Sequence, residues 1–383
     1  MTKYRAEQLS ATSLTICEVQ VKHLRCHDEL LWSCEPGLNL ILGENGSGKT
    51  SLLESVYLMA HGRSFRQARD PFLVKRGADR FFIQGSWKRF GPMNISVAGR
   101  RGQTSVRLQG RDVQRRKDVS ESFPVLVEAP QGRKIVDGVA GERRRWLDGL
   151  VMTCYQGLAV HYSSYLRAVM QRSRLLRRRA TAEELDVWEH QIVLHGLPVV
   201  QARKRLIHDI NELLLDETEL TATPVTLEMS MADYDEISWL ERLREKRDAD
   251  LKSGSLRFGP HCDAPKLLFQ GREIRNSGSR GQQKLAAIAI KMAECGLWSR
   301  YRRLIPVLLL DDCLEALDQK RQQMVLRRLE KSKAQILMTA PNGVNIVSDI
   351  KIRIQMLGEQ GLSEAGTPTD LEYEPRVVME EAA

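Results

Sequence analysis

The chain has 383 residues, 42% of them hydrophobic, which is enough for about two domains with buried cores. Its best apolar run, residues 305–310, falls far short of the roughly 20 residues a membrane span needs, and residues 1–12 mix Lys3, Arg5 and Glu7 with no apolar stretch behind them, so neither a membrane partner nor a secretory signal is expected and the chain should be cytoplasmic. A net charge of +9 favours polyanions, nucleic acid first, while seven cysteines with no CxxC pair argue against a zinc site or a disulfide framework.

In chain order, residues 38–42 form a short apolar run between glycines, which predicts a buried strand. Residues 43–49 are then a loop, and Leu52, Leu53, Val56, Tyr57 and Ala60 recur at helical spacing behind it. Residues 80–127 are strand-rich, with Ile95, Val97, Val106 and Leu108 close to alternation between glycine-containing turns. Over 142–216 the period becomes helical. Thr181 and Glu184 form a capping box just after Arg172, Arg174, Arg177, Arg178 and Arg179, which predicts two long helices meeting near Ala180, a helical arm with a basic elbow. After Gly254 the pattern returns to strand and loop. A motif region at 276–284, a helix through Cys295, a buried strand at 306–310, a helix at 319–331 and a strand at 335–338 complete an α/β alternation. The tail from Gly358 is acidic and turn-rich, and is expected to be disordered or loosely packed.

Gly43-Glu44-Asn45-Gly46-Ser47-Gly48-Lys49-Thr50 fits the GxxxxGK[ST] phosphate loop and lies between a strand and a helix, the context that motif requires. Its glycines let backbone N–H groups turn in around phosphate oxygens, Lys49 meets the β- and γ-phosphates, Thr50 ligates Mg²⁺, and Ser51 continues the site. Asp311 and Asp312 end an apolar strand, where ligands bind in open α/β sheets. Asp311 suits Mg²⁺, and Asp312 suits the attacking water. The pair could equally cap the next helix. Ser279-Arg280-Gly281-Gln282 precedes a helix and resembles the ABC-ATPase signature. Asp318 resembles the D-loop, and Thr339 occupies the place where a switch histidine is common. The fold class expected is an ABC-type P-loop ATPase head, α/β, with an inserted helical arm.

That order of motifs around a helical insertion resembles the RecF family. Narrower support comes from Pro36-Gly-Leu-Asn39, Leu53-Glu-Ser-Val-Tyr57, Gly62-Arg-Ser-Phe-Arg66, the segment around Arg143, Arg144 and Arg145, Leu185-Asp-Val-Trp-Glu-His190, Gly259-Pro-His261 and Ser279-Arg-Gly-Gln-Gln-Lys284. The likeness spans about 14–355. It departs where Cys262 replaces a usual arginine, where a Phe-Arg-Asn-like segment reads Leu24-Arg25-Cys26, and where Ala129-Pro-Gln131 replaces a proline-plus-acids segment. The resemblance implies head segments at 14–135 and 255–358, an arm at 136–254 and a tail at 359–383. It also implies an ATP-dependent homodimer in which Lys49 of one copy and Ser279 of the other hold one ATP, with Gln131, Gly281 and Asp318 contacting the nucleotide or its metal. Gapped or junction DNA, RecR- and RecO-type mediators and, indirectly, a RecA-type recombinase are the implied partners. The arginines expected on DNA are Arg63, Arg66, Arg143, Arg144, Arg145, Arg172, Arg174, Arg177, Arg178 and Arg179. Slow hydrolysis is implied because Asp312 stands where many ABC ATPases carry the longer glutamate. Two other readings are an ATP-dependent DNA clamp in which hydrolysis is incidental, and a transport ATPase, against which the long basic arm argues.

Overall fold

A computed structural model describes residues 11–66, 72–100, 102–130, 134–230, 235–342, 344, 350–358 and 361–364. The chain divides into two compact units, one drawn from residues up to 132 and from 303 onward, the other from 133–302.

The first unit holds two six-stranded sheets. In the largely parallel one, the wholly buried strand Leu38–Gly43 lies between Ile336–Pro341 and Ile352–Gly358, and Val307–Leu310 follows on the far side of Ile336–Pro341, next to Val125–Glu128. Leu38–Gly43 and Val307–Leu310 are buried throughout, which is why they read as nearly continuous apolar runs. The other sheet is antiparallel and built from Thr15–Leu24, His27–Ser33, Phe81–Lys88, Pro92–Arg100, Gln103–Leu108 and Arg111–Asp112. Helix Lys49–His61 touches strands of both sheets and shares one apolar core with them. A buried amide, Gln335, ties the layers together: its Oε1 accepts from Ile16 N at 2.7 Å and its Nε2 donates to the carbonyls of Ile16 and Glu35, each at 2.8 Å.

The second unit is mainly helical, with Ala140–Cys154, Leu158–Arg177, Ala182–Leu215, Glu236–Glu245, Arg247–Ser253 and Arg280–Arg302 beside a small antiparallel sheet of Val225–Glu228, Lys266–Phe269 and Arg272–Glu273. Helix Ala182–Leu215 has 34 residues and is therefore about 51 Å long. Thr181 caps it with Glu184 as its reciprocal partner. Gly196 in its interior is a packing glycine, since a β-carbon there would lie 2.5 Å from the ring of the fully buried Trp239. Segment 255–302, signature helix included, packs with the arm helices in this unit because Arg280–Arg302 lies against Ala182–Leu215 and Ala140–Cys154.

Part of the acidic tail is ordered, contrary to expectation. Gly361–Glu364 forms an antiparallel edge strand on Ile352–Gly358, and the exposed Glu364 pairs with Arg353. Residues 359–360 and 365–383 of the tail lie outside the described residues.

Candidate nucleotide site

Strand Leu38–Gly43 runs into the loop, and helix Lys49–His61 begins at its end. Gly46 and Gly48 sit at φ +89° and +102°, a region that disfavours side chains. Gly48 is constrained twice, because a β-carbon on it would lie 2.5 Å from both Cys26 Sγ and His27 Nε2. The Lys49 ammonium folds back inside the loop and donates to the carbonyls of Gly43 at 2.7 Å and Glu44 at 2.8 Å. No side chain caps this helix, so its first amides remain for an anion.

Strand Val307–Leu310 delivers Asp311 and Asp312 beside that loop, and the intervening strand carries Thr339. Asp311 Oδ1 accepts from Thr50 Oγ1 at 2.9 Å and from Thr339 Oγ1 at 2.8 Å, while Thr339 Oγ1 accepts from Asp312 N at 3.0 Å. One hydrogen-bonded chain thus joins the loop helix to both acids. Burial pushes the Asp311 carboxyl above its usual range, opposed by the two hydroxyl donors and by the charges of Arg66 and Lys49. Asp312 takes a left-handed backbone, φ +49°, uncommon outside glycine and of a kind that gathers at functional sites.

The loop and Asp312 border a cleft of about 310 Å³. Asn45, Gly46, Gly48, Lys49, Thr50 and Ser51 line one side, and Arg25, Cys26, Arg66 and Asp312 complete it. Three of these were not among the expected nucleotide residues. Arg25 and Cys26 come from the segment noted only as a departure from the Phe-Arg-Asn pattern. Arg66, expected on DNA, is exposed and also lies on the cleft wall. Arg25 is held by Glu54, bonded at 2.9 and 2.8 Å, and by the Phe72 carbonyl at 2.8 Å; the fully buried Glu54 also accepts from Ser64 Oγ. No spacing rule links residue 25 to residue 54, so this anchoring was invisible in the sequence.

The remaining expected residues have varied settings. Ser279 caps helix Arg280–Arg302: its Oγ accepts from Gln282 N at 3.3 Å and Gln282 Oε1 accepts from Ser279 N at 2.8 Å, with Gly281 buried in the first turn. Asp318 caps helix Gln319–Glu330 by accepting from Arg321 N at 2.9 Å. Gln131 lies outside the described residues.

Two arginines expected on DNA are buried and used within the arm. Arg172 is fully buried, donating to Glu189 at 2.9 Å, Asp250 at 2.7 Å and the Leu243 carbonyl at 2.9 Å. Arg143 is buried against Glu273 at 3.2 Å and the Gly138 carbonyl at 3.2 Å. Arg172 cannot reach a phosphate without abandoning two buried carboxylates, and Arg143 would have to leave the half-buried Glu273. Arg144 is half-buried and holds the Cys262 carbonyl at 2.8 Å. Arg63, Arg145, Arg174, Arg177, Arg178 and Arg179 are exposed, although Arg178 pairs with Glu184.

Fold and site together define an ABC-type P-loop ATPase head with a helical insertion. The RecF/RecN/SMC N terminal domain matches residues 15–356. The DNA replication and repair protein RecF of Heliobacterium modesticaldum is 31% identical over 346 residues, 85% of this chain and 92% of that protein. Its counterpart from Stenotrophomonas maltophilia is 31% identical over 341 residues, covering 85% and 93%. The chain belongs to the RecF family of DNA replication and repair proteins. The fold agrees with a solved structure of the recombination mediator protein RecF-ATP in the RecFOR pathway, at TM-score 0.75 and 21% identity over 95% of this chain and all of that one. It also resembles a Pyrococcus furiosus Smc head domain, at TM-score 0.59, 14% identity, 91% of this chain and 95% of that one. Among the described residues no helix is long and apolar enough to cross a membrane.

Proposed function

We propose that this chain binds and slowly hydrolyses ATP, and that ATP-driven pairing of two copies governs its hold on gapped or junction DNA, where RecR- and RecO-type mediators and a RecA-type recombinase follow. The observation that carries the reading is the hydrogen-bonded chain from Thr50 through Asp311 and Thr339 to Asp312 at the edge of the loop cleft.

Lys49 leaves its two carbonyls to meet the β- and γ-phosphates, and the uncapped helix amides receive phosphate oxygens. Arg66, on the cleft wall, adds positive charge around them, while the charge of Arg25 there is met by Glu54. Thr50 Oγ1 and Asp311 Oδ1 are hard oxygen donors 2.9 Å apart, a donor set suited to Mg²⁺. Among the described residues no group of three or more His, Cys, Asp or Glu gathers into a metal cage, which fits an ion that takes its other ligands from phosphate and water. When bound, Mg²⁺ would neutralise charge on the phosphates. Asp312 orients the attacking water, and its reach, one methylene shorter than glutamate, accounts for slow turnover. Ser279 and Gly281 at a helix start suit a γ-phosphate presented by a second copy. Arg63, Arg145, Arg174, Arg177, Arg178 and Arg179 are the arginines left for DNA phosphates.

The test measures ATP turnover, oligomeric state and gapped-DNA affinity for wild type, Lys49→Ala and Asp312→Asn. Lys49→Ala should lose binding, dimerisation and the ATP effect on DNA; Asp312→Asn should keep the ATP-bound dimer and lose turnover. Wild-type protein that ignores ATP in all three measurements overturns the proposal. Recombinase loading unaffected in Asp312→Asn selects the clamp in which hydrolysis is incidental.

A further inference from the structure

The turn after strand Thr15–Leu24 carries a side-chain pair, Cys26 and His27, that takes no part in the phosphate chemistry above. Cys26 is exposed and lines the cleft, with Sγ 3.9 Å from the Ser47 carbonyl oxygen. His27, only 9% exposed, places Nε2 3.1 Å from the Gly48 carbonyl oxygen. A β-carbon on Gly48 would meet both groups at 2.5 Å, so the sulfur has no spare room toward the loop. A group attached to this cleft-wall sulfur is turned away from the loop and stands at the cleft mouth. A hydrogen bond from His27 is the largest influence holding the Cys26 thiol below its ordinary range, with burial opposing and the charge of Lys75 assisting. Burial works against the imidazolium, yet the bond to Cys26 raises His27 overall, as a thiolate–imidazolium pair would. The other charged groups on the cleft wall are Arg25, Lys49, Arg66 and Asp312.

No other thiol combines these features. Cys34 and Cys154 are buried and their thiols are pushed up, that of Cys154 to about 12; burial also raises Cys262. Cys17 is exposed but is not on the cleft wall.

We propose that Cys26 is a site of reversible modification by small-molecule disulfides, and that the adduct shuts the cleft to nucleotide. The Cys26 thiolate forms a bond to one sulfur of the disulfide, the original S–S bond breaks, and the departing thiolate takes the proton held by His27. The disulfide supplies all the oxidation consumed, and excess free thiol reverses the exchange. The closure, though not the modification, rests on the triphosphate reading of the cleft.

The experiment treats the full chain with glutathione disulfide, maps adducts by peptide mass, and titrates ATP before treatment, after it, and after dithiothreitol. Expected are an adduct on Cys26, protection by prior ATP, and a loss of ATP affinity of at least about tenfold that dithiothreitol restores. Cys26→Ser, compared with its own untreated sample, should show no change on treatment, and Cys17→Ser should respond like wild type. His27→Gln should slow adduct formation about tenfold. An adduct on Cys17 with Cys26 unmodified overturns the proposal, as does a Cys26 adduct that leaves ATP affinity unaltered. If untreated protein binds no ATP while Cys26 still takes up the adduct, the nucleotide reading fails and the modification site stands.

Discussion

The loop cleft of the head and the core of the arm both bury charge, and they do so to opposite ends. In the arm, Arg172 meets Glu189, Asp250 and a backbone carbonyl, and Arg203 meets Asp148 and the Pro260 carbonyl at 2.6 Å. The protein supplies those complements itself, and the result is a fixed scaffold. In the head, Lys49 is held only by two carbonyls and Asp311 only by two hydroxyls among their described bonds, beside an open cleft. A cation resting on neutral oxygens can be drawn to a phosphate at small cost, whereas one resting on carboxylates cannot. Buried charge therefore marks a binding site only where its partners are neutral and space adjoins it.

The contrast can be broken most directly at Arg172. Arg172→Ala should destabilise the arm by about 3–5 kcal/mol, read from its unfolding transition in denaturant, because the buried Asp250 loses its counter-ion and the buried Glu189 is left with Arg247. Arg178→Ala, whose pair with Glu184 is exposed, should leave that transition where it was. A mild Arg172→Ala phenotype would return this arginine to the DNA candidates. In the head, Lys49→Ala should instead leave folding intact and reduce ATP turnover by about 10²–10³-fold in steady-state assays. A smaller effect appears in acid. Burial pushes His61 down to about 4, the charge of Arg63 adding to it against a bond to the Val125 carbonyl at 2.9 Å. The unfolded chain then takes up a proton near pH 6.5 that the folded head refuses, so stability is full above that pH and declines toward pH 4. The ring stacks on Tyr57 and keeps some exposure, which limits the decline to on the order of 1–2 kcal/mol in pH-dependent thermal unfolding. His61→Phe with an unchanged acid profile would assign the decline elsewhere. Last, replacing Arg174, Arg177 and Arg179 with glutamine should flatten the salt dependence of DNA affinity by about 0.9 for each phosphate no longer neutralised, and an unchanged slope would move the DNA surface off the elbow.

What could be read in the chain follows the range of the physics. The phosphate loop, the acids and Ser279 were legible because each lies at a fixed offset from a strand end or a helix start. The long arm helices were legible through the Thr181–Glu184 cap and their period. Arg172 and Arg143 were misplaced because a run of arginines looks alike whether its carboxylates lie 17 and 78 residues away, as for Arg172, or nowhere. Arg25 and Cys26 form a local hairpin turn, but their contacts with Glu54 and with the phosphate loop follow no local pattern. The strand Gly361–Glu364 was hidden because a short charged stretch looks like tail unless its neighbour, Ile352–Gly358, is known.

The position of strand Leu38–Gly43 sets an order on synthesis. Both of its sheet neighbours, Ile336–Pro341 and Ile352–Gly358, come from the far end of the chain. As the polypeptide leaves the ribosome, the whole of 133–302 emerges before the phosphate-loop strand can find a partner. The arm can fold during translation, while the segment carrying Lys49 must wait, apolar and unpaired, until translation is nearly complete. That interval is when this chain is most exposed to aggregation, and a chaperone that shields strands early in translation would benefit the head far more than the arm.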